Sequence, residues 1–166
     1  VVLDESQKRE FHSLTAQILY LGKRARDDVL TAVSFLSRRV QKPTVQDQEK
    51  LYRLVRYLRG TSHLCKVLQA GDNIEVKAYI DAAYAVHEDC KGQSGCVITL
   101  DKGAVYSKSN VQKLNTKSST ECELVATGDH FGQVIYVRNF LIEQGYKMKP
   151  AKIFKDNQSE LALIKN

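Results

Sequence analysis

This chain of 166 residues shows no paired metal-binding cysteines, no membrane-length apolar run, no charged-then-apolar opening, no internal repeat and no low-complexity tract. Each absence removes a class of protein. Cys65, Cys90, Cys96 and Cys122 show no C-x-x-C spacing and the four histidines are scattered singly. Neither a zinc site nor a disulfide framework is therefore expected, and the thiols read as reduced and structural. No apolar stretch approaches the roughly 20 residues of a membrane span, and the N-terminus lacks a charged-then-apolar layout. A soluble protein with no membrane partner is the expectation. Hydrophobic content of 43% suffices to bury the core of one domain, or of one domain with a helical appendage. The chain starts at Val1 and stops at Asn166, just after the apolar Leu161, Leu163 and Ile164, which reads as a piece of something longer.

The net charge of +6 and a pI near 9.1 are compatible with a polyanionic partner without requiring one. Residues 1–60 carry twelve basic and seven acidic side chains, an excess of +5, against +1 for the remainder. That basic segment reads as helical. Phe11, Leu14, Ile18 and Leu21 keep one face, Val33, Leu36 and Val40 mark a second run over 29–40, and Pro43 breaks it. Over 47–59, Leu51, Leu54, Val55 and Leu58 share one side while Lys50, Arg53, Arg56 and Arg59 share the other, with Gly60 as a stop. The cationic side has two readings, a cradle for nucleic-acid phosphates or the solvated face of an amphipathic helix.

After Gly71 the period changes from helical to extended. Residues 75–80 and 96–100 read as strands, as does 104–106 after a turn at Asp101-Lys102-Gly103, giving an antiparallel meander; 64–68 is a further short strand candidate. A long helix is expected over 120–144, where Leu124, Phe131, Ile135 and Ile142 fall within about 20° of one line. Gly145 ends it, Ile153-Phe154 is a short strand, and a helix opens at Gln158.

Three acids stand out in small polar signatures: Asp81 in Ala78-Tyr79-Ile80-Asp81-Ala82-Ala83-Tyr84, Glu123 in Ser118-Ser119-Thr120-Glu121-Cys122-Glu123-Leu124, and Asp156 in Ile153-Phe154-Lys155-Asp156-Asn157-Gln158-Ser159. Carboxylates gathered from separate elements repel unless a cation sits between them, and Mg²⁺ prefers such hard oxygen ligands. Each acid also has a plainer reading. Glu123 lies at capping-box spacing from Thr120, Asp156 suits a turn or helix cap, and Glu121 is a rival to Glu123 about 200° round the helix. Asp81 is harder to explain away, since a charge inside a central strand is costly to desolvate without a partner.

The order of elements and these three signatures resemble the ribonuclease H domain at the end of copia-type retrotransposon polyproteins. Upstream, Leu19-Tyr20-Leu21, Ala25-Arg26-Asp27-Asp28-Val29, Ala32-Val33-Ser34-Phe35-Leu36-Ser37-Arg38 and Leu54-Val55-Arg56-Tyr57-Leu58-Arg59-Gly60-Thr61 are similar to the helices that join that family's reverse transcriptase to its ribonuclease H. The resemblance implies an α/β fold with a ribonuclease H-like mixed sheet, three antiparallel strands followed by helix, strand and helix, truncated at its C-terminus and preceded by an all-helical segment. The boundary falls between 1–62 and 63–166. Asp27 stands where the family has a proline and Tyr84 where it has a tryptophan; the family pattern continues past Asn166 with a further acid, so no fourth ligand is assigned.

The function implied is metal-dependent cutting of the RNA strand of RNA–DNA hybrids, within a Pol polyprotein that also holds the reverse transcriptase, in an intracellular, cytoplasmic retroelement particle. Two Mg²⁺ ions are expected, with Mn²⁺ as a substitute. Asp81 would be shared by both ions, Glu123 would hold the ion near the leaving group and Asp156 the ion near the attacking water. Ser119, Thr120 and Gln158 would touch the RNA strand, or merely cap helices. Lys102, Lys108, Lys113 and Lys117 would track phosphates, or solvate a hairpin. Two alternatives stand beside the enzyme: a truncated or degenerate copy without activity, and a noncatalytic binding module using Arg53, Arg56 and Arg59.

Overall fold

The computed structural model describes residues 1–71 and 74–165, and for residues 164 and 165 the backbone only. It divides into two units, Val1–Lys66 and Val67–Asn166.

The first unit is helical. Helices α1 (Glu5–Arg24), α2 (Leu30–Ser37) and α3 (Val45–Gly60) are joined by a 3₁₀ turn at Asp27–Val29 and a loop through Pro43. Two capping boxes start the longer helices. The Asp4 carboxylate accepts from the Ser6 and Gln7 amides while Gln7 reaches back, and Thr44 and Asp47 exchange the same pair of bonds. Phe11, Ile18, Val33, Leu36, Leu51 and Leu54 form the core with Leu3 and Val29. Leu21, expected on the inner face of α1, is instead 38% exposed. The inner stripe continues through Gly22, which packs against Val29 and Leu30; a Cβ there would come within 3.2 Å of the Leu30 side chain. Helix α2 ends at Ser37, so Val40 lies in the following turn.

Arg26 ties this unit together. Buried, it grips Asp28 through Nε (3.0 Å) and Nη2 (2.8 Å) and donates to the Thr61 carbonyl (3.0 Å) and hydroxyl (2.7 Å) beyond α3. The Tyr57 hydroxyl donates to the same Asp28 carboxylate at 2.8 Å. Asp27, at the start of the 3₁₀ turn, pairs with Lys66 at 2.8 Å.

The second unit is α/β. Its four-stranded mixed sheet has the order β5–β3–β2–β6, from β2 (Lys77–Ala83), β3 (Gln93–Thr99), β5 (Ala104–Val111) and β6 (Lys152–Phe154). The expected meander β2–β3–β5 is antiparallel, and β6 runs parallel to β2 after the crossover helix α4 (Ser119–Glu143). A final helix α5 spans Gln158–Lys165. The strands are longer than apolar runs suggested, because polar Gln93, Ser94, Ser107, Lys108, Ser109 and Asn110 take part in the ladder. The strand expected at 64–68 is absent; β1 (Gln69–Ala70) pairs instead with β4 (Asp101–Lys102) in a separate ribbon. Gly103 follows at φ 73°, where a Cβ would run into the Val67 carbonyl.

One face of the sheet is covered by α4. Val76, Ala78, Ile80, Cys96 and Ile98 pack there with Ala126, Val134 and Leu141. The line Leu124, Phe131, Ile135 and Ile142 is not the inner side of α4: Phe131, Ile135 and Ile142 are 49%, 38% and 38% exposed. The inner side is Cys122, Ala126, His130, Val134 and Leu141, whose small or polar members hid it from a hydrophobic pattern. On the other face Tyr79, Val97 and Phe154 are exposed, with the Tyr79 and Phe154 rings stacked 4.9 Å apart.

Two outcomes follow. Ile98→Ala should lower the unfolding free energy of the second unit by about 2–5 kcal/mol, whereas Val97→Ala on the open face should stay within about 0.5 kcal/mol, read by urea titration. Arg26 holds the Asp28 carboxyl below its ordinary value of 3.8, chiefly by hydrogen bonding. That contribution is present above 3.8 and lost as pH falls through the lower native value. Acid unfolding of Asp28→Asn should lack this component.

Candidate metal centre

Asp81, Glu123 and Asp156 meet. One carboxylate oxygen from each lies within 4.8 Å of the others, although the three residues come from β2, α4 and the loop after β6. The fold accounts for each placement. Strand β2 is central, and alternation puts Ile80 into the core and turns Asp81 out. Across the ladder, Asp81 faces Gly95, which has no side chain to stand beside it. The parallel pairing of β6 with β2 ends at Phe154 opposite Tyr79, so the chain beyond it carries Asp156 alongside Asp81. Helix α4 crosses β2 with Glu123 in its second turn.

The plainer roles fall to neighbours. Ser118, not Thr120, caps α4: its hydroxyl accepts from the Glu121 amide at 3.1 Å, and Glu121 Oε2 accepts from the Lys117 amide at 2.6 Å. Glu123 is thereby free of capping duty. At α5 the Asn157 side-chain Oδ1 accepts from the Glu160 amide at 3.0 Å, so Asn157 caps this helix and Asp156 precedes it. Asp81 is exposed, so the desolvation cost anticipated for it does not arise; the buried acid is Glu123. Ser119 and Thr120 open α4 in the turn before Glu123, and Gln158 opens α5 two residues after Asp156. Lys102, Lys108, Lys113 and Lys117 lie along β4, β5 and the loop before α4; Lys102, Lys113 and Lys117 are exposed, as is Lys108.

The Ala82 amide serves two of the acids, donating to Asp81 Oδ1 at 2.9 Å and Glu123 Oε1 at 3.2 Å. Burial pushes the Glu123 carboxyl above its ordinary 4.5; the Lys155 ammonium and the Ala82 amide oppose that rise and Asp81 adds to it. The start of α4 is fixed from behind. Gln112 Nε2 donates to the Ser94 hydroxyl (3.0 Å) and the Cys122 carbonyl (2.8 Å), and the Cys122 thiol donates to Gln112 Oε1 (3.2 Å). Gly92 lies against this cluster, where a Cβ would meet Cys122 Sγ at 2.5 Å.

Two members of the site were missing from the sequence reading. Lys155 Nζ donates to Glu123 Oε2 at 2.7 Å and sits 3.0 Å from Glu160 Oε2, an ion pair outside hydrogen-bonding geometry. All three side chains are buried, at 2%, 7% and 0% exposure for Lys155, Glu123 and Glu160. The signal was present: in β6, Ile153 points inward and Phe154 outward, so Lys155 returns to the inner side.

An all-oxygen set of three convergent carboxylates suits a hard divalent cation in donor chemistry and spacing. Asp81 and Asp156 present oxygens at the surface, and Glu123 shares its own with an ammonium. Among the described residues, this is the one such group of three.

Fold and site thus define an α/β unit with a carboxylate cluster at the central strand of a mixed sheet. Over 96% of its length the chain is 32% identical to the retrovirus-related Pol polyprotein from transposon TNT 1-94 of Nicotiana tabacum. It is 28% identical over 95% to that from transposon RE1 of Arabidopsis thaliana, and 27% identical over 72% to the putative transposon Ty5-1 protein of Saccharomyces cerevisiae. The chain is a relative of the Pol polyproteins of copia-type retrotransposons. It spans 12%, 11% and 39% of the length of these three relatives. No family model matches the chain, and no solved structure matches it. Among the described residues no helix is long and apolar enough to cross a membrane.

Removing the ammonium alone leaves two buried carboxylates uncompensated. Lys155→Ala should cost about 3–5 kcal/mol in urea unfolding of the second unit.

Proposed function

We propose that residues 67–166 are a ribonuclease H-like unit of a retrotransposon Pol polyprotein, hydrolysing the RNA strand of RNA–DNA hybrids with divalent cations. The observation that carries this reading is the meeting of Asp81, Glu123 and Asp156 within 4.8 Å, from three separate elements. Repulsion between three carboxylates at that spacing is a standing cost that a bound cation removes. The sheet order, with a parallel strand added beside the first strand of a meander, is compatible with that fold.

Mg²⁺ or Mn²⁺ would be held by Asp81, Glu123 and Asp156. Bound there, the metal supplies Lewis-acid stabilisation of negative charge on the phosphodiester and lowers the pKa of water. The chain's own part is to hold the oxygens in place. The Ala82 amide orients Asp81 and Glu123 together, and Asn157 takes the α5 cap so that Asp156 keeps its lone pairs for a ligand. Ser119, Thr120 and Gln158, at the starts of the two helices beside the acids, are placed in sequence to offer hydrogen bonds to a ribose 2′-hydroxyl, the group that separates RNA from DNA. The first unit would be a connection-like segment. Arg53, Arg56 and Arg59, all exposed on α3, give it a cationic face for phosphates.

A second reading, a retroelement fragment without activity, is favoured by one observation: an ammonium already occupies Glu123 Oε2. A labelled RNA–DNA hybrid assay with Mg²⁺ or Mn²⁺ separates the two. The enzyme reading expects RNA-strand cleavage that falls by about 100-fold or more in Asp81→Asn while hybrid binding persists. Equal cleavage by both chains would remove the assignment, and no cleavage by either would leave the inactive fragment.

A further inference from the structure

One cation at the carboxylate cluster belongs to the chain itself, the Lys155 ammonium. Its ammonium is enclosed by Glu123 Oε2 at 2.7 Å, the Glu123 carbonyl at 3.5 Å and Glu160 Oε2 at 3.0 Å. Glu160 is itself anchored on both sides. Its Oε1 accepts from the Thr127 hydroxyl at 2.6 Å, and its amide donates to the Asn157 cap. Lysine on a surface would swing away from an arriving metal at little cost. Here the side chain is 2% exposed and its departure would strand the fully buried Glu160 carboxylate. The ammonium is therefore a fixture, and a second divalent ion on Glu123 would have to sit against it.

We propose that Lys155 is a resident monovalent cation that takes the place of one divalent ion, limiting this cluster to a single Mg²⁺ or Mn²⁺, and that Glu160 is the residue that keeps it there. The inference rests on the cluster being a divalent-cation site. It replaces the expectation of two ions with one ion and one ammonium. Glu123 then acts as the joint between them, with Oε1 on the Ala82 amide beside Asp81 and Oε2 on the lysine. The same arrangement makes Glu160 dependent on Lys155: without the ammonium its fully buried carboxylate has no counter-charge, whereas Lys155 without Glu160 keeps Glu123 as its partner.

Calorimetric titration of Mn²⁺ into the whole chain at neutral pH tests this without any substrate. The unaltered chain should bind one Mn²⁺. In Lys155→Gln/Glu160→Gln, which removes the ammonium together with its Glu160 counter-charge and leaves Glu123 without its lysine, two should bind, the first about tenfold more tightly once the like charge is gone. Two ions in the unaltered chain would overturn the proposal even if the variant failed to fold. So would one ion of unchanged affinity in a variant whose circular dichroism is native; in both cases loss of binding in Asp81→Asn would leave the metal site standing. Absence of saturable Mn²⁺ binding in both chains would remove the site and the proposal together.

Discussion

Like charges held close in a folded chain are the constraint from which the second unit's design follows. Three carboxylates converge within 4.8 Å, and a fourth, Glu160, is buried behind them. In water such a group would spread apart; in the fold it is held by backbone pairing of β2 with β6 and by the packing of α4 across β2. The compensation comes from two sources of unequal strength. The Ala82 amide contributes a partial charge to Asp81 and Glu123, while Lys155 contributes a full one to Glu123 and Glu160. The polar brace of Gln112, Ser94 and Cys122 then fixes the helix turn from which Glu123 projects.

Much of this was legible in the residues. The period change after Gly71, the turn at 101–103 and the Gly145 stop located the meander and the crossover helix, because each is a local backbone preference. The three acids were legible through their signatures, one inside the central strand, one in the opening turns of a helix and one where a strand passes into a loop. What escaped was whatever tertiary contact decides. The inner side of α4 is made of Cys122, Ala126, His130 and Val134, so counting large apolar residues selected the outer line instead. Strand lengths were underestimated because serines and an asparagine pair in the ladder as well as valines do.

Lys155 illustrates the limit most clearly. In a linear reading it is one lysine among many, next to a more conspicuous aspartate. Its meaning depends on Glu160, five positions on, and on Glu123, thirty-two positions back, and on a strand parity that turns it inward. The burial of a lysine among the acids follows from packing in three dimensions, which no run of neighbouring residues spells out.

The double duty of the Ala82 amide has an evolutionary corollary. A donor that belongs to the main chain needs no particular side-chain chemistry, so any residue small enough to keep the core contact of Ala82 keeps the tether between Asp81 and Glu123. Only proline, which has no N–H, deletes it. The centre is thereby buffered against changes between small residues at the position on which two of its acids lean.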